Sequence, residues 1–124
     1  LFRYYRSKVM VNISAVIITH NEEDDIKECL QSVNWAGEII VIDSYSNDST
    51  VAISRGFTDK VFLREFDNFS AQKNYGLSKA SFDWILSLDA DERVTEGLRK
   101  EIELIIENPS MGEKAFYIKR LNNM

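Results

Sequence analysis

Residues 13–43 read ISAVIITHNEEDDIKECLQSVNWAGEIIVID, and this stretch decides the fold. Ile13 to Thr19 is an almost unbroken run of β-branched residues, the pattern of a strand buried on both faces. Glu22 to Val33 then places Ile26, Leu30 and Val33 at helical spacing, with acids in the first turn where the helix dipole favours them. Glu38 to Asp43 (EIIVID) repeats the buried-strand pattern. Strand, helix and strand in alternation imply parallel strands.

The same alternation continues downstream. Asp48 or Ser49 is placed to cap a short helix through Ser54, ended by Gly56. Lys60 to Arg64 reads as a third strand, and Ser70 to Ala80 as a helix weakened by Gly76. Trp84 to Leu88 reads as a fourth strand. Thr95 is an N-cap for a helix to Asn108, with Leu98, Ile102, Ile105 and Ile106 on one face and Pro109 at its end. Ala115 to Lys119 fits a fifth strand. The order β-α-β-α-β-α-β-α-β predicts an α/β fold: a doubly wound, mostly parallel sheet in three layers, with helices on both faces. One domain spans residues 10–124. Residues 1–9 read as an upstream or added segment outside the fold.

Composition narrows the classes. The chain has 124 residues, and its 44% hydrophobic and 28% charged residues are those of a globular domain. A single cysteine excludes an internal disulfide and suits a reducing compartment, so a cytoplasmic location is expected. The longest aliphatic runs are far too short to span a bilayer. The net charge of −5 makes nucleic acid a poor partner. Arg3, Arg6 and Lys8, among aromatic residues and without an acid, are also of the type that touches a membrane surface, so peripheral contact is compatible with the sequence.

In an open α/β sheet, ligands bind beyond the carboxyl ends of the strands. There the first strand ends in Thr19-His20-Asn21-Glu22, the second in Asp43-Ser44, and the fourth in Asp89-Ala90-Asp91-Glu92. Such an acidic rim repels itself unless a cation or a donor-rich ligand occupies it. Asp89 and Asp91, two apart in extended backbone, present hard oxygens that suit Mg²⁺ or Mn²⁺ together with phosphate. The bland alternative is that Asp91 or Glu92 caps the turn. Asp43 is the type of residue that meets a ribose or a base N–H, or else forms the turn into the next helix. Lys73 is placed to neutralise a diphosphate, or lies with Gln72 and Asn74 on a solvated helix face. His20 reads as a loop residue and Cys29 as a packing residue. No glycine-rich dinucleotide or P-loop motif occurs, and no serine sits in a nucleophile-elbow frame.

Four segments together carry a resemblance: the first strand with Thr19-His20-Asn21-Glu22, VIDSYSNDST at 41–50, AQKN at 71–74, and DWILSLDADE at 83–92. In order and spacing they resemble the nucleotide-sugar-binding half of family 2 inverting glycosyltransferases of the GT-A fold, over about residues 11–120. The wording FSAQKN and DWILSLDADE is most similar to the lipopolysaccharide-core glucosyltransferases. The resemblance implies that Thr19, Asn21 and Glu22 line a nucleotide pocket and that Asp43 contacts the base. It implies Lys73 near base or diphosphate, Asp89 at ribose or sugar, and Asp91 on the metal. The implied donor is a nucleotide-diphosphate sugar, with a UDP-sugar favoured. The implied acceptor is a glycan or lipid-linked molecule, which would bring the protein to the inner face of the membrane. The implied reaction is an in-line displacement at the anomeric carbon, assisted by Mg²⁺ or Mn²⁺. The carboxylate base and acceptor site are expected in a second half, whose pattern is not found after Asn108, so the chain reads as the donor-binding part.

Three other readings share some of these features. A receiver-type signalling domain has similar length and a parallel sheet, but wants an acidic pair directly after strand 1 and a lone Asp after strand 3. A nucleotidyltransferase shares the metal logic but wants a glycine-rich basic loop after strand 1. A binding-only sugar-nucleotide module needs nothing beyond what is present.

Overall fold

The computed structural model describes residues 10–108. The expected fifth strand at Ala115–Lys119 and the segment 1–9 lie outside the described residues. Eight elements follow in order: β1 (Val11–Thr19), α1 (Ile26–Gln31), β2 (Ala36–Asp43), α2 (Thr50–Arg55), β3 (Val61–Leu63), α3 (Phe69–Ser78), β4 (Trp84–Asp89) and α4 (Glu96–Glu107).

All four strands are parallel, in the order β3-β2-β1-β4. β1 is the centre, with Ile17 opposite Val41 on one side and Leu88 on the other. The chain moves outward from β1 to β2 and β3, then returns across to place β4 on the other flank. The order therefore reverses between β1 and β4, and that switch point is where an open sheet forms a ligand crevice. The arrangement also decides against a receiver domain, whose order sets β3 rather than β4 beside β1.

Because side chains alternate along a strand, the near-continuous apolar runs feed two separate cores. Ile13, Ala15, Ile17, Val41, Leu86 and Leu88 face α1 and α4, meeting Ile26, Leu30, Leu98 and Ile102. Val16, Ile40, Ile42 and Ile85 face the opposite way, against Tyr75 and Leu77 of α3. This gives the expected three layers.

Local departures have physical causes. α1 begins at Ile26, not at Glu22; the residues before it form turns, with the N–H groups of Asp25 and Ile26 both donating to Glu22 O and those of Glu22 and Glu23 donating to Thr50 Oγ1 and Asp48 Oδ2 of the neighbouring loop. Gly76 does not merely weaken α3. It lets the helix backbone press on the sheet, since a Cβ there would lie 2.4 Å from Val16 Cγ1. Gln72 is on no solvated face: it is fully buried. Thr95 caps α4 as expected, its hydroxyl accepting from Leu98 N at 3.1 Å.

Candidate active site

At the carboxyl ends of β1, β2 and β4 lies an open cavity of about 920 Å³. Thr19 and His20 from the end of β1, Ser44 and Tyr45 from the end of β2, and Asp89 and Asp91 from the end of β4 line it. Glu22 completes one side, and Glu65 and Phe66 from the β3–α3 connection form another with Phe69, the first residue of α3. Of the residues expected to act, Thr19, Glu22, Asp89 and Asp91 therefore meet in one space. Among the described residues no lysine or arginine lines it.

The turn after β4 is held from within. Glu92 is almost fully buried, and its Oε1 accepts from Asp89 N at 2.8 Å while its own N–H donates to Asp89 O at 2.9 Å. Glu92 thus caps the turn and leaves the side chains of Asp89 and Asp91 to the cavity. Arg93 ties this turn to α1 through Glu28 and Asp25, at 2.7 and 3.4 Å.

Glu22 feels the crowding of acids. Partial burial pushes its carboxyl pKa up, and the neighbouring carboxylates of Asp91, Asp25, Asp48 and Asp89 push it further the same way. Among the described residues no three His, Cys, Asp or Glu side chains are grouped closely enough to hold a metal ion by themselves.

Asn21, Asp43 and Lys73 do not line the cavity. Asp43 is fully buried, and its carboxylate is hydrogen-bonded within the protein. It accepts from Thr19 Oγ1 at 2.7 Å, from Ser46 N at 2.8 Å and from Ser46 Oγ at 2.6 Å. These bonds fix the loop after β2. Asn21 adopts φ 53° and clamps the two loops together: its N–H donates to Ser46 Oγ and its Oδ1 accepts from Asn47 N, both at 2.7 Å. Lys73 sits half-buried on α3.

Two quieter residues behave as expected. His20 Nδ1 lies 2.8 Å from Ser44 O, so the ring carries its proton there and bridges the first two loops. Cys29 is fully buried, which pushes its thiol up to about 12, and its Sγ–H donates to Asp89 O at 3.7 Å.

The aromatic side of the cavity was not anticipated. Tyr45, Phe66 and Phe69 are all exposed, at 56%, 44% and 65%. Phe66 and Phe69 meet edge to face at 5.1 Å. The sequence signal was available in two phenylalanines three apart in a polar loop, REFDNFS. Gln72 supports this side. Its Oε1 accepts from Arg64 Nη1 at 2.6 Å, and its Nε2 donates to Ser44 Oγ at 3.1 Å.

The chain is 43% identical over 97 residues to an uncharacterized glycosyltransferase of Rickettsia felis, covering 77% of this chain and 34% of that protein. It is 32% identical over 93 residues to the lipopolysaccharide core biosynthesis glycosyltransferase LpsC of Rhizobium meliloti, covering 71% and 34%. The chain thus spans about a third of the length of these relatives. The crystal structure of S. aureus TarS 1–349 superposes with a TM-score of 0.63 at 22% identity, over 81% of this chain and 33% of that one, which is a likeness of fold. The model of the family described as Glycosyl transferase family 2 matches residues 14–119, and the chain belongs to that family.

Proposed function

We propose that this chain is the donor-binding part of a glycosyltransferase that moves a sugar from a nucleotide-diphosphate sugar, a UDP-sugar for preference, to a glycan or lipid-linked acceptor. The observation that carries the reading is the meeting of Thr19, Glu22, Asp89 and Asp91 in one cavity at the β1/β4 switch point. The likeness to LpsC supports lipopolysaccharide core as the acceptor class. No helix among the described residues is long and apolar enough to cross a membrane.

The donor set fits Mg²⁺ or Mn²⁺. Mg²⁺ is typically held by one or two carboxylates plus substrate phosphates, so a pair of aspartates without a third protein ligand suits a cation that arrives with the diphosphate. Asp91 would hold it, with Asp89 beside it. When bound, it would neutralise the charge of the departing diphosphate in an inverting displacement. Glu92 keeps both aspartates facing the cavity, and the Asp43–Ser46–Asn21 hydrogen bonds hold the opposite rim in place.

Calorimetric titration with UDP, ADP and GDP, with and without Mn²⁺, tests the reading. At least one diphosphate is expected to bind, and only with the metal. Absence of binding under every condition would refute it.

A further inference from the structure

Tyr45 stands in a backbone conformation that it pays to adopt. Its φ of 52° is left-handed, where a side chain with a Cβ is strained and where glycine is the usual occupant. Such strain persists only when the surroundings over-determine it, and it concentrates at ligand sites. Both neighbours of Tyr45 are fixed. Ser44 donates its N–H to Thr19 O at 3.0 Å, meets His20 Nδ1 through its carbonyl, and holds the buried Gln72 amide through its hydroxyl. Ser46 is bound to Asp43 through both its N–H and its hydroxyl. The residue so forced lines the cavity, yet more than half of its surface is open. A large aromatic ring held out to solvent at the expense of backbone strain gains nothing for folding. It gains a flat apolar face in the cavity that Asp89 and Asp91 also line.

We infer that Tyr45 is a ligand-contacting residue whose ring stacks on a ring face of the donor, and that Gln72 is a positioning residue acting through Ser44. The inference rests on the donor-site reading above. The stacked ring has two sources in a nucleotide-diphosphate sugar, the base and the pyranose, and both present a face that an aromatic side chain covers.

The test uses the whole chain with Mn²⁺ and compares a nucleoside diphosphate (UDP, ADP or GDP, whichever binds) with its glucose conjugate. Tyr45→Gly is expected to weaken binding about tenfold while the melting temperature holds or rises, because glycine adopts this φ freely. Tyr45→Phe keeps affinity within about twofold, since the ring face does the work. Gln72→Met is expected to weaken binding in the parent chain but to have little further effect in Tyr45→Gly, the non-additivity of a residue acting through another. Equal losses for the diphosphate and its conjugate place the ring on the base. A loss confined to the conjugate places it on the sugar. Affinity unchanged in Tyr45→Gly overturns the inference alone, and a fall in both affinity and melting temperature makes Tyr45 a packing residue. If the unaltered chain binds neither ligand, the donor-site reading fails and this inference falls with it.

Discussion

Glu38 is the sharpest point at which this fold can be challenged, although it lies at the end of the sheet away from the cavity. It starts the buried part of β2 and is only 6% exposed. Its Oε1 accepts from Ser14 Oγ at 2.6 Å and Ser81 N at 2.8 Å; its Oε2 accepts from Ser81 Oγ at 2.9 Å and pairs with Lys60 Nζ. One carboxylate thus joins β1, β2, the approach to β3 and the α3–β4 connection. Burial alone would raise its pKa, but the hydrogen bonds from Lys60, Ser14 and Ser81 outweigh burial and hold it at about 2. A carboxyl whose folded pKa lies below its unfolded value stabilises the fold above the unfolded value and loses that contribution as pH falls through the folded one. The gap between about 2 and the ordinary 4.5 is worth about 3 kcal/mol at neutral pH, of which about 2 kcal/mol is gone by pH 3. Glu38→Gln keeps the volume but turns an amide N–H₂ toward the Lys60 ammonium. Urea unfolding of both chains at pH 7, 5 and 3 isolates this one group, because every other carboxylate titrates alike in the two. The expected difference is about 3 kcal/mol at pH 7, shrinking to about 1 kcal/mol at pH 3. A difference that stays constant with pH, or one below about 1 kcal/mol at pH 7, would refute the reasoning.

Three further outcomes are expected. Gly76→Ala drives a methyl into Val16, and overpacking of about 1–3 kcal/mol should exceed the roughly 1 kcal/mol that alanine returns as a better helix former, so the melting temperature falls. Glu92→Ala strips the cap from Asp89 N and should weaken Mn²⁺-dependent diphosphate binding about tenfold, whereas Glu92→Gln, which keeps an accepting oxygen, should hold it within about threefold; titration calorimetry separates the two. Cys29, buried with its thiol at about 12, should resist Ellman's reagent in the native chain up to pH 9 and react within minutes in urea.

The strands were legible because a buried parallel sheet writes itself as short, mostly apolar runs, and ISAVIIT, EIIVID and WILSL carry that signal. The aspartates after β4 were legible because strand ends face the crevice of an open sheet. What the sequence concealed was set by contacts far along the chain. Gln72 and Gly76 look like surface residues of a helix with no apolar stripe, yet the approach of α3 to Val16 and Ile42 buries both. Asp43 and Asn21 also hydrogen-bond to Thr19, Ser46 and Asn47, partners that become visible only once the two loops meet. Tyr45 gave no sign at all, since a left-handed backbone cannot be read from a tyrosine between two serines.

The central claim is that Asp91 holds a divalent cation jointly with a nucleotide diphosphate. Electron paramagnetic resonance of Mn²⁺ measures it directly, because the signal of the free ion falls as the ion is bound. With the diphosphate held well below its own affinity for Mn²⁺, adding the unaltered chain should remove the free-ion signal, and adding Asp91→Ala should leave it. Equal loss of signal with both chains, or with neither, would contradict the account.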